Sequence, residues 1–596
     1  MQNMQARAQK EWERYNKNNK PHKTKRTFSK RIKIFAITII FLFTTLVIAY
    51  FSWQSYLKNQ TESLYASIRE AGHPLTGSDV NTRYEFPDKN AADYYLPIFD
   101  DLNAELKRVH ADAYDPNWNI KRKQILEMIN NNGGNDASYL VDDDLDPDTD
   151  SNVWVLDQGE VYIKDRNKLS YGLRDSFGID ELKNSPQLDL PNFGKAPEIW
   201  LTQTPEELTN DVQTFINNTD KILQKLLNPP TLTGNRWPGD WSGYTSITFD
   251  YYRKTNDAVR YLATYHWLCN QLKNSGEALK TLTAMRNIID LHKTEPNSYG
   301  RMFENTEIRS YFCKEVDLAL NNHLFNDAQL QQLDNLCDRK ISRESMINTL
   351  ATERAYFLEI INNAHDPDTM QYVSGRISPA QTVLWDYTGI KHLDIKYSLT
   401  NYQNSIQQLE SNRPDHEIYP RYDFTNNSPS LYLISNHFGN TYTWPTNQAM
   451  SSNHALNHLR IAIALERYRL ANSTYPESLQ DLTPQYLDKI PTDVFSKQGA
   501  PFLYRRGKTG CIVYSLGINH TDEKGFTHFG PYASYGYDLE PTIYLTYPDQ
   551  PPKAIFTELF PEQINTYTEM QEREQRNYFH RRNAEPQEKY SSSNEQ

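Results

Sequence analysis

A mainly α-helical protein, hung from one membrane-spanning helix and closed by a small α+β unit, is predicted by three features of this sequence. Ile34 to Phe51 reads IFAITIIFLFTTLVIAYF, with no charged residue. Between Arg253 and Ile361, apolar residues recur every three or four positions, the helical period. From residue 453 to 530 the pattern shifts to short apolar runs broken by turn residues, the mark of strands and hairpins.

Bulk properties fit a large ordered body. The 596 residues are enough for roughly three or four domains of ordinary size. Only 38% of them are hydrophobic, yet the 40 Tyr and 10 Trp supply the large buried surfaces that disordered chains lack. Residues 1 to 33 form a basic head in which eleven Lys and Arg face only Glu11 and Glu13, a charge of +9. With a net charge of -12 for the whole, the rest of the chain carries -21. A basic head alone suits nucleic acid or a membrane surface. The apolar run that follows decides for the membrane and excludes nucleic acid as partner.

Residues 34 to 53 are read as the membrane-spanning helix. Eighteen uncharged residues cover about 27 Å, close to the hydrocarbon thickness, and Tyr50 and Trp53 fall where interfacial aromatics belong. A core helix would not follow eleven cations, and "AYFSWQSY" offers no small-residue cleavage site for a signal peptide. The positive-inside rule keeps the head in the cytoplasm and places the bulk of the chain on the extracytoplasmic, periplasmic side of the cell membrane.

Beyond the membrane, residues 54 to 228 form an extracytoplasmic region with an acidic loop. "INNNGGNDAS" (129 to 138) and "NPPTLTGNRWPGDWSG" (228 to 243) are rich in Asn, Gly and Pro and mark loops. Residues 244 to 445 read as an antiparallel helical domain with three stripes: Leu262, Tyr265, Cys269 and Leu272; Ala278, Leu282, Met285 and Ile289; and Met346, Leu350, Phe357 and Ile361. Further helices fall near Ile308 to Leu320 and Ala328 to Cys337, and no signature repeats at a fixed period. The charged tail, 561 to 596, reads as disordered.

Candidate chemistry is sparse. The cysteines at 269, 313, 337 and 511 lack C-x-x-C spacing, which excludes a zinc ribbon or a redox pair of that kind. Outside the cytoplasm a disulfide is permitted, and Cys313 with Cys337 is the pair to test first against buried thiols. His454 and His458 stand four apart on a helix, the spacing for two imidazoles on one metal, but no metalloprotease glutamate lies between them. They read as surface or capping histidines instead. "VDDDLDPDTDSN" (141 to 152) has alternating carboxylates without the glycine and final glutamate of an EF-hand, and stands between a calcium loop and a solvated acidic loop. No phosphate-cradling loop, nucleophile elbow or Cys-His signature marks a catalytic residue.

Residues 451 to 560 form the α+β unit. Leu456, Leu459, Ile463 and Leu470 line a helix ending at Ala471 and Asn472, Tyr475-Pro476 turns the chain, and Leu479, Leu482 and Leu487 pack a short second segment. "PFLYRR" and "CIVYSLG" are strands joined by "GKTG". The order YP turn, "PTDVF", Tyr-containing strand and "YSLGINHTDEKG" resembles the globular part of the type II secretion major pseudopilin. The likeness covers about residues 453 to 530. "SKRIKIFAITII" lacks the prepilin-peptidase site of that family, so assembly as a pilus subunit is not expected. "IREAGHPLTGSDVNTRYEFPDKNAADYY" (68 to 95) resembles the opening of uncharacterised membrane-anchored proteins of planctomycetes, several of which end in a similar unit.

The pseudopilin likeness implies calcium ligands in the loop 514 to 525. Asn519 stands where the family has aspartate, while Asp522 and Glu523 keep their carboxylates. A calcium loop and a plain polar turn both remain open there, and no other cofactor is expected. Together these readings describe a membrane-anchored interaction or scaffold protein of the cell envelope, bound to lipid through residues 34 to 53 and to envelope proteins through its body. An accessory component of a secretion or pilus-like system, and an envelope hydrolase with an unrecognised site, are the alternatives.

Overall fold

The computed structural model describes residues 2–18, 24–84, 86–112, 153–155, 161–163, 205–238, 250–364, 379–411, 413–418, 432, 435, 442–496, 498–517, 522, 524–525, 542–550 and 554–561. In chain order the elements are α1 (Gln2–Asn18), α2 (Thr24–Glu70), α3 (Gly77–Arg83), α4 (Ala91–Asp112), β1 (Val153–Val155), β2 (Val161–Ile163), α5 (Pro205–Asn218) and α6 (Asp220–Leu227). There follow α7 (Asp250–Gln271), α8 (Ser275–Ile289), α9 (Ser298–Glu307), α10 (Cys313–Asn321), α11 (Asp327–Cys337), α12 (Arg343–Asn362), α13 (Pro379–Tyr387), α14 (Ile390–Glu410) and α15 (Asp415–Ile418). The last are α16 (Trp444–Asn472), β3 (Leu503–Arg506), β4 (Gly510–Tyr514), β5 (Ile543–Thr546) and α17 (Ala554–Leu559). The elements are mainly helical, as the sequence predicts. They form two compact units, the first within residues 1–73, 363–399 and 427–437 and the second within 74–362, 400–426 and 438–596.

In the first unit, α2 runs unbroken for 47 residues, about 70 Å at the helical rise. The apolar run is only its middle. Residues 54 to 70 contain neither Gly nor Pro, so nothing breaks the ladder when the composition turns polar. Along the apolar run the large side chains point outward, with Ile34 65% and Phe41 69% exposed. Its three threonines donate to carbonyls one turn back, Thr38 to Ile34 at 2.9 Å, Thr44 to Ile40 at 2.7 Å and Thr45 to Phe41 at 2.8 Å. None of these three hydroxyls needs a partner outside the helix.

Further along α2 the buried stripe Leu57, Thr61 and Ile68 begins. Tyr50 Oη and Gln54 Nε2 both donate to the Tyr387 carbonyl, at 2.5 and 3.0 Å, which ties α13 to α2. Gly389, at φ +80°, reverses the chain between α13 and α14, and a Cβ there would press on the Gln54 amide. Only glycine adopts this conformation without cost. Trp385 is buried and donates to Asp394 Oδ2 at 3.0 Å. Residues 379–399 therefore fold with α2 and not with the rest of the expected 244–445 domain.

In the second unit α7 and α8 form an antiparallel hairpin turned at Lys273, φ +54°. Ala278, Leu282, Met285 and Ile289 are buried, as are Met346, Leu350, Phe357 and Ile361 of α12. The first expected stripe ends early, because Leu272 lies at the hairpin tip and is 55% exposed. Trp237 stacks on Tyr251 with ring centroids 5.0 Å apart and seals α7. All four cysteines are free thiols, Cys269, Cys337 and Cys511 buried and Cys313 half-buried. The proposed Cys313–Cys337 disulfide is not formed.

The helix α16 begins at Trp444 and is covered on several sides, since α9, α10 and α11 pack against it and so do β4 and β5. Besides the expected Leu456, Leu459 and Ile463, the side chains of Ala455, Ile461, Ala462, Ala464 and Leu465 are buried, while Leu470 is exposed. One apolar core runs through the helical array and the α+β segment. The strands β3, β4 and β5 form an antiparallel sheet in that order, with Leu503 opposite Tyr514 and Gly510 opposite Thr546. β3 and β4 were expected from the sequence. β5 was not. Gly510 is forced by close approach, since a Cβ would strike the Leu545 carbonyl oxygen.

Candidate functional site

Ionisable side chains gather where α8, the 3-10 turn Asp290–Thr294 and α9 meet. Asn297 caps α9 by accepting from Gly300 N at 2.9 Å, and this fixes the rotation of the helix. Arg301, Glu304 and Glu307, three residues apart, then share its inward face. All three are fully buried, together with His292 from the turn, and Glu295 is 3% exposed. The helix passes into the π-helical turn Ile308–Phe312, a rare geometry that shifts the inward face by about one residue.

The bonding leaves several atoms unmatched. His292 Nε2 lies 3.1 Å from Glu307 Oε2 and 3.3 Å from Thr255 Oγ1. Arg301 pairs with Glu304 and donates to the carbonyls of His292 and Glu295. Tyr252 donates to Glu295 Oε2, with Tyr251 at 3.4 Å from the same oxygen. Glu295 Oε1, Glu304 Oε1, Glu307 Oε1 and His292 Nδ1 make no hydrogen bond. Burial lifts the Glu295 carboxyl to about 7 against the pull of His292, and burial also lifts Glu304 despite Arg301. Burial opposes the His292 imidazolium, but Glu307, Glu295 and Glu304 outweigh it and hold the pKa above its ordinary value.

This centre is a network of carboxylates, an imidazole and a guanidinium packed inside the fold. It is closed to solvent at every one of its charged side chains, so it presents no open cleft for a substrate. Among the described residues no three His, Cys, Asp or Glu converge as metal ligands do. Sequence reasoning passed over it because charges three apart on a helix read as a solvated face. No signal in the local sequence marks them as interior.

The residues singled out from sequence lie elsewhere. Asn519, Glu523 and the acidic stretch 141 to 152 fall outside the described residues. Asp522 is exposed, and its Oδ1 accepts from Lys524 N at 2.8 Å and Tyr514 Oη at 3.2 Å. His454 and His458 are neither surface nor capping groups, since both are buried and stack on Phe502 at 4.7 and 5.0 Å. His458 Nε2 donates to the Val513 carbonyl at 2.8 Å, pinning α16 to β4. The two imidazoles are used for packing.

Tyr475 of the YP turn is fully buried and donates to Glu466 Oε2 at 3.3 Å and to the Thr546 carbonyl at 3.2 Å. Burial works against the Glu466 carboxylate, but Arg469 and His323 more than offset it and hold the pKa below the usual range. The turn is thus bolted to the helix before it and to β5.

The chain matches no protein-family model, and no curated protein or solved structure is significantly similar to it.

Proposed function

We propose that this chain is a single-pass membrane protein whose body stands on the extracytoplasmic side as an interaction or scaffold module of the cell envelope. One observation carries the reading. The 18 residues from Ile34 to Phe51 form a helix that is long and apolar enough to cross a bilayer and is uncovered by the rest of the protein. Its threonines are satisfied within the helix, which is what a hydrocarbon environment demands. The +9 head favours the cytoplasm for residues before Ile34.

Support for a scaffold role comes from the distribution of chemistry. The charged centre is sealed, whereas a hydrolase needs its carboxylates at a cleft. The long helix, buried Tyr475 turn and antiparallel strands at residues 444 to 546 support the pseudopilin-like reading, and with it the alternative of an accessory secretion component. Protease added to intact spheroplasts tests the main reading. It should remove nearly everything after Ser55 and spare the basic head. Protection of the C-terminal unit would overturn the orientation, and release of the protein by alkaline carbonate would overturn the anchor.

A further inference from the structure

We infer that α13 is a second lipid contact, an interfacial helix lying in the headgroup region beside the C-terminal end of the apolar run of α2. The inference rests on the anchor reading above. α13 reads PAQTVLWDY and carries one charge, Asp386, which lies 3.6 Å from Lys391 Nζ. Its large apolar residues divide between two faces. Trp385 turns inward, while Val383, Leu384 and Tyr387 are 48%, 64% and 69% exposed.

The occupant of that outward face follows from where α13 is held. Tyr50 and Gln54, which bond the Tyr387 carbonyl, straddle Phe51, the last residue of the uncharged run. The tight turn at Gly389 keeps the chain against Gln54. The C-terminal end of α13 is therefore fixed at the level where hydrocarbon gives way to headgroups. Trp53 and Tyr56, stacked at 6.3 Å and 45% and 55% exposed, stand at the same end of the run. With Tyr50 and Tyr387 they make an aromatic group of the kind that lines membrane interfaces.

Nine residues span about 13 Å, too short to cross. A short helix with one apolar face and its only charge paired lies in the interface plane. The hydrogen bonds from Tyr50 and Gln54 would then fix the tilt and rotation of α2 as well as its depth. Two contacts of this kind orient a body on a membrane where one flexible anchor does not.

Full-length protein in vesicles of phosphatidylcholine and phosphatidylglycerol, doped with a phospholipid carrying a diazirine at the top of its acyl chain, tests this directly. After irradiation, trypsin releases peptide 34–58 from the anchor and peptide 377–391 from α13, and mass spectrometry reads the lipid adduct on each. Both peptides should be labelled, and replacing Val383 and Leu384 by Ser should reduce the adduct on 377–391 several-fold while 34–58 is unchanged. A labelled 34–58 with a blank 377–391 overturns the interfacial helix and leaves the anchor standing, as a protein partner on that face would require. A blank 34–58 overturns the anchor reading itself.

Discussion

Lowering the pH from 8 to 5 should weaken the second unit through His454 by about 2 kcal/mol. The ring is fully buried between Phe502, stacked at 4.7 Å, and Phe495, edge-on at 4.8 Å. Neither ring nitrogen has a hydrogen-bond partner, and the nearest carboxylate oxygen, Asp493 Oδ1, is 3.7 Å from Nδ1. That carboxylate is already engaged by Phe495 N, Ser515 Oγ and Leu516 N. Burial therefore dominates and pushes the pKa down to about 4, with Asp493 pulling up and Arg309 pushing further down.

The sign follows from proton counting. In the unfolded chain the imidazole takes up a proton below about 6.5, whereas in the fold it stays neutral to about 4. The contribution is complete above the unfolded value and falls as pH drops, by about 1.4 kcal/mol per unit, until it levels off near the folded value. At pH 5 roughly 2 of the possible 3.4 kcal/mol are gone, equivalent to roughly 2–3 °C in Tm for a unit of this size. Glu295 runs the other way, because its raised carboxyl costs stability as pH climbs from about 4.5 to about 7. Only the difference between wild type and His454→Leu isolates the imidazole. Thermal unfolding of the full chain in detergent, at pH 8 and pH 5, should show the wild type losing those degrees relative to the variant. Parallel pH profiles for the two would refute a buried neutral His454.

Three other perturbations test the same packing. Gly510→Ala should destabilise the β4–β5 pair by about 1–3 kcal/mol, because the added Cβ collides with backbone that cannot rotate away, and a lower urea midpoint checks it. Glu466→Ala removes the common partner of Arg469, His323 and Tyr475 and should cost about 3–5 kcal/mol, read as a lower midpoint, with Glu466→Gln recovering part of the loss. A fragment from Ser451 to Pro561 should fail to give dispersed NMR amide signals on its own, since it strips α9, α10 and α11 from α16. A well-dispersed spectrum would make the α+β segment independent.

Local signals in the sequence fared better than distant ones. The uncharged run, the stripes of α8 and α12, and the hairpin of "PFLYRR" and "CIVYSLG" are each set by residues within a turn or two of one another, and each forms. β5 was not legible because its pairing with β4 spans a long intervening segment and its four residues carry no alternation on their own. The place of α13 depends on hydrogen bonds between residues 333 and 337 apart, which no periodicity records. The buried charges at 292 to 307 drew no reading from the sequence, since their helical spacing is that of an ordinary solvated face and only the packing around them removes the solvent.

The same limit explains α16. A periodic stripe predicts a helix with one buried face, and the sequence indeed shows Leu456, Leu459 and Ile463 in line. A helix covered on several sides has no wet face to set its rotation, so apolar contact alone leaves it free to slip. Polar groups supply the missing register here. His458 reaches β4, Glu466 reaches the turn after α10 and the YP turn through His323 and Tyr475, and Arg460 reaches α11 at Asp334, 2.8 Å away. Each of these contacts holds at one rotation only, because a turn of 100° would leave a buried partner unpaired. His458, which looks like a surface residue or a metal ligand in the sequence, is thus one of the groups that key the helix into the core.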